Sequence, residues 1–276
     1  MPTIAEKRAR FAELHAGPGC FVIPNPWDIG STKYLASLGF KALATTSAGA
    51  AFALGKPDGG MTRAEVLRHI GELVGATDLP FNADYEAGFA ATRDELYESV
   101  TLCIATGVAG LSIEDFTGDP RAPFYAPREA ADRIRTARAA IDASGQKVLL
   151  TARSETVLRD HPDGFAESLR RLAAYAEAGA DVLYAPGLRA SEEVAALVKV
   201  AGRLPINVLA GTSGFTLHQL EGLGVRRVSV GAALARTAWG GFMRAARDIA
   251  DNGRFSSFAD AAPFAELDKL FRDGAA

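Results

Sequence analysis

Three carboxylates carry the first chemical signal. Asp84 and Glu86 flank Tyr85 in LPFNADYEAGFA, and Glu114 closes the next apolar run, AGLSIE. Residues two apart on an extended strand face the same side, so Asp84 and Glu86 point together if the strand continues through them. Glu114, ending the adjacent strand, comes within reach of both. Like charges so placed repel and raise one another's pKa unless a cation neutralises them. Every candidate ligand is an oxygen, which selects a hard ion, Mg2+ or Mn2+, over zinc.

Arg153 ends a further apolar run, KVLLTAR, and Thr45, Thr46 and Ser47 end another. The arginine either grips a carboxylate or phosphonate through its fork or pairs structurally with Glu114 or Glu155, and the spacing leaves both open. The 45–47 hydroxyls and nearby backbone N–H groups either bind the anionic end of a substrate or fit a tight turn at Gly49. None of the four histidines, His15, His69, His161 and His218, ends a strand, which argues against a histidine-ligated metal or a Ser-His-Asp triad.

These residues share a place in a repeating pattern. Short β-branched runs at 20–24, 41–46, 79–84, 109–114, 147–153, 181–185, 205–209 and 226–231 alternate with stretches of helical period at 28–38, 62–76, 92–106, 127–143, 164–178, 190–201, 215–223 and 232–250. Thr62 with Glu65 forms a capping box, Pro127 opens a helix, and Gly39, Gly107 and Gly179 stand where helices stop. Eight βα units predict a (β/α)8 TIM barrel, whose chemistry gathers at the carboxyl ends of its strands. A doubly wound sheet is the rival, but no GxGxxG or P-loop follows the first strand.

The 276 residues, 48% hydrophobic, suit a single domain spanning 1–276, with 251–276 as a C-terminal helical extension. In that tail Phe264, Leu267, Leu270 and Phe271 form an apolar stripe, expected to pack on the barrel in the first instance or on another subunit. A net charge of −3 without basic runs gives no footprint for nucleic acid or a membrane surface, leaving a small molecule as the expected partner. Two cysteines outside any CxxC spacing, and the lack of an apolar signal or membrane-spanning run, predict a cytoplasmic protein.

The segments PNPWDIGSTKYLASLGFKALATTSAG, LGKPDGG, NADYEAGFA, GVAGLSIED and TARSET, in this order, resemble the phosphoenolpyruvate mutase/isocitrate lyase superfamily over residues 10–250. The resemblance implies that Asp84, Glu86 and Glu114 surround Mg2+, with glutamate at 86 a mild departure from aspartate. It implies that Arg153 is an active-site arginine and Asp58 a catalytic aspartate, although KPDGG alone would read as a turn. Thr45, Thr46, Ser47, Tyr184, Asn207 and the 116–126 loop then become candidate substrate contacts. Where isocitrate and 2-methylisocitrate lyases carry a cysteine-bearing KKCGH-type segment, this chain reads FTGDPRAPFYAPRE, which argues against classical isocitrate lyase activity. The asparagine-bearing gating loop of the mutases is not evident either. The implied activity is Mg-dependent cleavage of a C–C bond in a small 2-oxo or 2-hydroxy acid through a metal-stabilised enolate. Phosphonopyruvate hydrolase or mutase chemistry, and a non-catalytic barrel that binds a 2-oxo acid, are the alternatives. The resemblance also implies a homotetramer.

Overall fold

A computed structural model describes residues 2–211 and 214–273. The chain opens with α1 (Ile4–Ala16), started by a Thr3/Glu6 capping box. Eight βα units follow: β1 (Phe21–Ile23), α2 (Ile29–Ser37), β2 (Leu43–Ala44), α3 (Ser47–Ala53) with α4 (Arg63–Gly75), β3 (Phe81–Asp84), α5 (Arg93–Ala105), β4 (Gly110–Glu114), α6 (Pro127–Ala143), β5 (Leu149–Arg153), α7 (Gly164–Glu177), β6 (Val182–Tyr184), α8 (Ser191–Ala201), β7 (Ile206–Leu209), α9 (Leu217–Gly222), β8 (Arg227–Ser229) and α10 (Ala233–Asn252). A 3-10 turn at Ser256–Asp260 leads to α11 (Phe264–Asp273).

All strand pairings are parallel, from β2 through each neighbour to β8, and β8 pairs with β1. At the seam between β1 and β2 the Ala44 N–H donates to the Pro24 carbonyl at 3.0 Å. The fold is a nearly closed (β/α)8 TIM barrel with an additional C-terminal helix. Its apolar core lies between strands and helices, where Ile70, Leu73, Leu96, Val100, Ile134, Leu172 and Val194 are buried. The amphipathic periods of α4 to α8 place these side chains inward, while capping boxes at Thr62 and Thr92 fix where α4 and α5 begin.

Inside the barrel a small apolar cluster of Phe11, Ile23, Ala42, Ala44 and Ala109 lies beside a polar network. The buried Arg227 donates to Asn207 Oδ1 (2.8 Å) and Thr151 Oγ1 (3.0 Å) and lies 3.3 Å from His15 Nε2 of α1, which covers the amino-terminal end. The His15 Nδ1 lies 2.7 Å from the Phe11 carbonyl and must be the protonated nitrogen, leaving Nε2 to accept from the arginine. Burial and Arg227 depress the imidazole to about 3.

The eight expected strands and eight expected helices are all found, with shorter strands. The 41–46 run narrows to Leu43–Ala44 because Thr46 leaves the strand to cap α3, its hydroxyl accepting from the Gly49 N–H. The apolar tail does not enter the core. Helix α11 rests on α2, with the Phe271 ring against Gly30, while Phe264 remains 85% exposed. Among the described residues no helix is long and apolar enough to cross a membrane.

Candidate active site

At the carboxyl end of the barrel a cleft of about 670 Å³ opens between the loops after β2, β3, β4 and β5, lined in part by Ser47, Asp58, Glu86, Glu114, Arg153 and Arg159. Arg153 is its hub. Its Nε donates to Glu155 Oε1 (2.5 Å) and lies 3.4 Å from Glu114 Oε2, Nη1 reaches Asp84 Oδ1 at 3.3 Å, and the guanidinium lies over the Tyr184 ring, 5.2 Å from its centroid. Register explains the meeting: Glu114 pairs with Arg153 across β4 and β5, and Arg153 with Tyr184 across β5 and β6. Arg153 is thus paired with the acids, as one of its two readings has it, and also lines the cleft, which leaves the other reading open.

Asp84 is braced from β2. Ser47 donates to its Oδ2 through both backbone N–H (3.0 Å) and hydroxyl (2.9 Å), and the Asp84 N–H donates to Thr45 Oγ1 (2.8 Å). In this structure the hydroxyls of the 45–47 turn thus hold Asp84 and cap α3. Ser47 is the member that also lines the cleft.

The period-two argument for Asp84 and Glu86 does not hold, because β3 stops at Asp84. Glu86 has φ +46° in the turn that follows, and its carbonyl accepts from the Glu114 N–H at 3.0 Å. Gly88, at φ +87°, makes the turn possible: a Cβ there would lie 2.3 Å from Leu96 Cδ1. Turn geometry, not strand alternation, carries Glu86 to the cleft.

Five carboxylates, Asp58, Asp84, Glu86, Glu114 and Glu155, meet two guanidinium groups, Arg153 and Arg159. Fully ionised, the site carries an excess of three negative charges. Burial, then Asp84 and Asp58, push Glu86 up to about 7. Burial also raises Glu114 well above the usual carboxylate range, reinforced by Glu155, Asp84 and Glu86 against the opposing pull of Arg153. Among the described residues no three acidic, histidine or cysteine side chains converge tightly enough to clamp an ion directly, since the Arg153 guanidinium reaches both Asp84 and Glu114. The all-oxygen, negatively charged donor set still suits Mg2+, which keeps several waters and needs only one or two carboxylates.

The other expected residues fall in different places. Asp58 lies on the rim, 44% exposed at its side chain and 3.6 Å from Arg159 Nη2. Tyr184 is buried beneath Arg153, outside the cleft lining. Asn207 is fully buried in the lumen, its amide donating to Ser229 Oγ (2.9 Å) and accepting from Arg227, and it does not line the cleft. None of the four histidines lines the cleft.

Sequence reading assigned no supporting role to three residues, although Asp115, beside Glu114 in GLSIED, was already visible as a polar strand end. Asn25 stitches strand ends together, donating to the Thr45 carbonyl and accepting from the Val230 and Gly231 N–H groups; its place one residue beyond the first apolar run was a usable signal. Asp115 accepts from the Glu155 N–H (2.8 Å), the Tyr175 hydroxyl (2.7 Å) and Arg171 (3.1 Å), fixing the end of β5 from beneath. Glu167 and Arg171, four apart on the inner face of α7, could have announced that network. Arg159 sits in a loop and had no periodic signal.

The family model for phosphoenolpyruvate phosphomutase matches residues 11–250. An uncharacterized protein of Mycobacterium tuberculosis is 30% identical over 258 residues, 93% of this chain and 94% of its own. The 2-methylisocitrate lyase of Bacillus subtilis is 27% identical, over 76% of this chain and 68% of its own. A crystal structure of a Burkholderia cenocepacia protein, provisionally assigned as a lyase/mutase, superposes with a TM-score of 0.94 at 44% identity, covering 98% of this chain and 97% of the other. Matched along nearly its whole barrel, the chain belongs to the phosphoenolpyruvate mutase/isocitrate lyase superfamily, whose members include lyases and mutases of small acids.

Proposed function

We propose that this protein is a Mg-dependent lyase that cleaves a C–C bond in a small 2-oxo or 2-hydroxy acid. The observation that carries the reading is the excess of acid at the mouth of the barrel: Asp84, Glu86 and Glu114 gathered around one arginine, in a chain whose relatives include carbon–carbon lyases. An anionic substrate is repelled from such a site unless a cation enters with it. Asp84, Glu86 and Glu114 are the side chains that would hold that ion, with Asp84 positioned by Ser47. When bound, the ion supplies positive charge to the substrate's 2-oxo oxygen as the bond breaks.

The chain's own residues do the rest. Arg153, rigidly held by Glu155 and stacked on Tyr184, presents its guanidinium to the substrate carboxylate. Asp58 at the rim is placed to exchange a proton with the departing carbon fragment. The 116–126 loop closes one wall through an antiparallel bridge between Phe116 and Phe124. Glu114→Ala tests the assignment by steady-state kinetics and isothermal titration with Mg2+. Turnover and cation binding should vanish together while the circular dichroism spectrum stays native, and retained metal-dependent activity would falsify the role.

The match to a phosphomutase family model supports a second reading, hydrolysis or rearrangement of a phosphonate such as phosphonopyruvate. Phosphate release from phosphonopyruvate separates the two, and none at high enzyme concentration removes hydrolysis. The reading further places the enzyme in the cytoplasm as a homotetramer.

A further inference from the structure

The two guanidinium groups of the cleft differ in what they are free to do. Arg153 is 15% exposed at its side chain and engages Asp84, Glu114 and Glu155. Arg159 is 37% exposed and makes two ion pairs, 3.3 Å from Nε to Glu155 Oε2 and 3.6 Å from Nη2 to Asp58 Oδ2, neither as short as the 2.5 Å contact of Arg153 with Glu155. One fully buried carboxylate, Glu155, therefore anchors both arginines and spaces them along the cleft.

Arg159 is also held ready. The Arg159 N–H donates to the Glu155 carbonyl, the His161 N–H to the Thr156 carbonyl, and Thr156 Oγ1 to the Gly164 carbonyl. Ser154, Glu155 and Thr156 are fully buried at the foot of this loop. The guanidinium lies over Phe116, 4.3 Å from the ring centroid, so an aromatic face from the neighbouring loop after β4 fixes its plane. A planar fork, fixed on one side and exposed on the other, is suited to an oxyanion group. Its loose contact with Asp58 is one that a fully ionised ligand can displace.

We propose that Arg159 is the specificity-determining residue of this site, taking an anionic group at the substrate's distal end while Arg153 and the acidic cluster hold the 2-oxo-acid end. This rests on the reading above for the 2-oxo-acid end and adds the second point of attachment. The shared chemistry is a terminal oxyanion, carboxylate or phosphonate, two or three atoms beyond the 2-oxo carbon. A substrate with an apolar end leaves Arg159 unused.

Isothermal titration in Mg2+ tests this with oxalate and 2-oxobutanoate as probes of the first end alone, and 3,3-difluorooxaloacetate, 2-oxoglutarate and phosphonopyruvate as probes of both. In the native enzyme at least one two-ended probe should bind more tightly than 2-oxobutanoate. Arg159→Met should weaken that probe by about 10- to 100-fold, the range for losing a charge-assisted hydrogen bond, and leave oxalate within about twofold. Arg159→Lys should recover part of the loss. Which two-ended probe responds tells carboxylate from phosphonate. Unchanged affinity for every two-ended probe in Arg159→Met, or no preference for any of them over 2-oxobutanoate in the native enzyme, overturns the proposal. If oxalate and 2-oxobutanoate also show no cation-dependent binding, the 2-oxo-acid reading itself falls, and this proposal with it. Thermal melting of both variants, whose altered side chain lies on the rim, confirms that the barrel is intact.

Discussion

Replacing Glu114 by glutamine should separate cation binding from folding. The native residue is buried beside Arg153, and at 3.4 Å their attraction is on the order of 5 kcal/mol before desolvation, taking an effective dielectric of about 20. Burial and the surrounding carboxylates nevertheless hold Glu114 above its ordinary range, so ionising it in the folded protein costs more than in the unfolded chain. A neutral isostere escapes that cost and keeps an oxygen for Arg153. Without divalent ions at pH 8, Glu114→Gln should therefore melt no lower than the native protein. Mg2+ at 100 times its dissociation constant adds about 2.7 kcal/mol to a protein that binds it only when folded. For a chain of this size that is roughly 5–10 °C in Tm. Differential scanning fluorimetry with EDTA and then Mg2+ should show this shift in the native protein and lose most of it in Glu114→Gln. A full shift in the variant refutes Glu114 as a ligand. A large drop without cation would mean instead that the residue serves chiefly to pair with Arg153.

Three other expectations follow from buried groups. Because His15 stays neutral in the fold down to about 3 whereas an unfolded imidazole protonates near pH 6.5, the unfolded chain takes up the proton first and stability falls on acidification. His15 alone should account for a loss of about 2 kcal/mol between pH 7 and pH 5, read as the difference in urea-denaturation pH slopes between the native protein and His15→Gln, which still offers Arg227 an acceptor; the raised carboxyls Glu86 and Glu114 act in the opposite sense in both proteins, and an equal slope in the variant excludes His15 as a source. Asp115→Ala leaves the Tyr175 hydroxyl and the Glu155 N–H buried without a partner and takes one of two carboxylates from Arg171, and should cost about 3–5 kcal/mol in the same assay, with a value below 1 kcal/mol contradicting the network's role. Gly88→Ala forces a Cβ against Leu96 at positive φ and should cost roughly 1–3 kcal/mol while weakening Mg2+ binding through displacement of Glu86, so an unaltered titration would show that the turn does not set that carboxylate's position.

The barrel was legible because its signal is periodic. Apolar runs of strand length alternate with amphipathic helices whose caps can be read from Thr62, Thr92 and Pro127. Helix α3 escaped notice because SAGAAFA has small residues and no wide apolar stripe; its start is set by the Thr46 hydroxyl, which read equally well as a substrate donor. Strand-end chemistry was legible for a related reason: Glu114 and Arg153 are polar residues closing apolar strands, and the register pairs them directly.

Depth along the barrel axis was what the pattern did not encode. Asn207 and Arg153 both face inward from polar positions on parallel strands, yet Arg153 reaches the cleft while Asn207 spends its amide on Ser229 and Arg227 below. A strand's alternation gives the face and leaves the height to register, which depends on where each neighbour starts. Loop residues carry still less information, so Arg159 emerged only when the turn after β5 laid it across Phe116 and Glu155. The electrostatic balance of the site depends on this hidden residue. Fully ionised, the five carboxylates would hold an excess of four negative charges with Arg153 alone; with Arg159 it is three, and a single dication brings it to one. A site poised near that value accepts an anionic acid together with its cation and repels the acid alone, which makes cation and substrate binding mutually dependent.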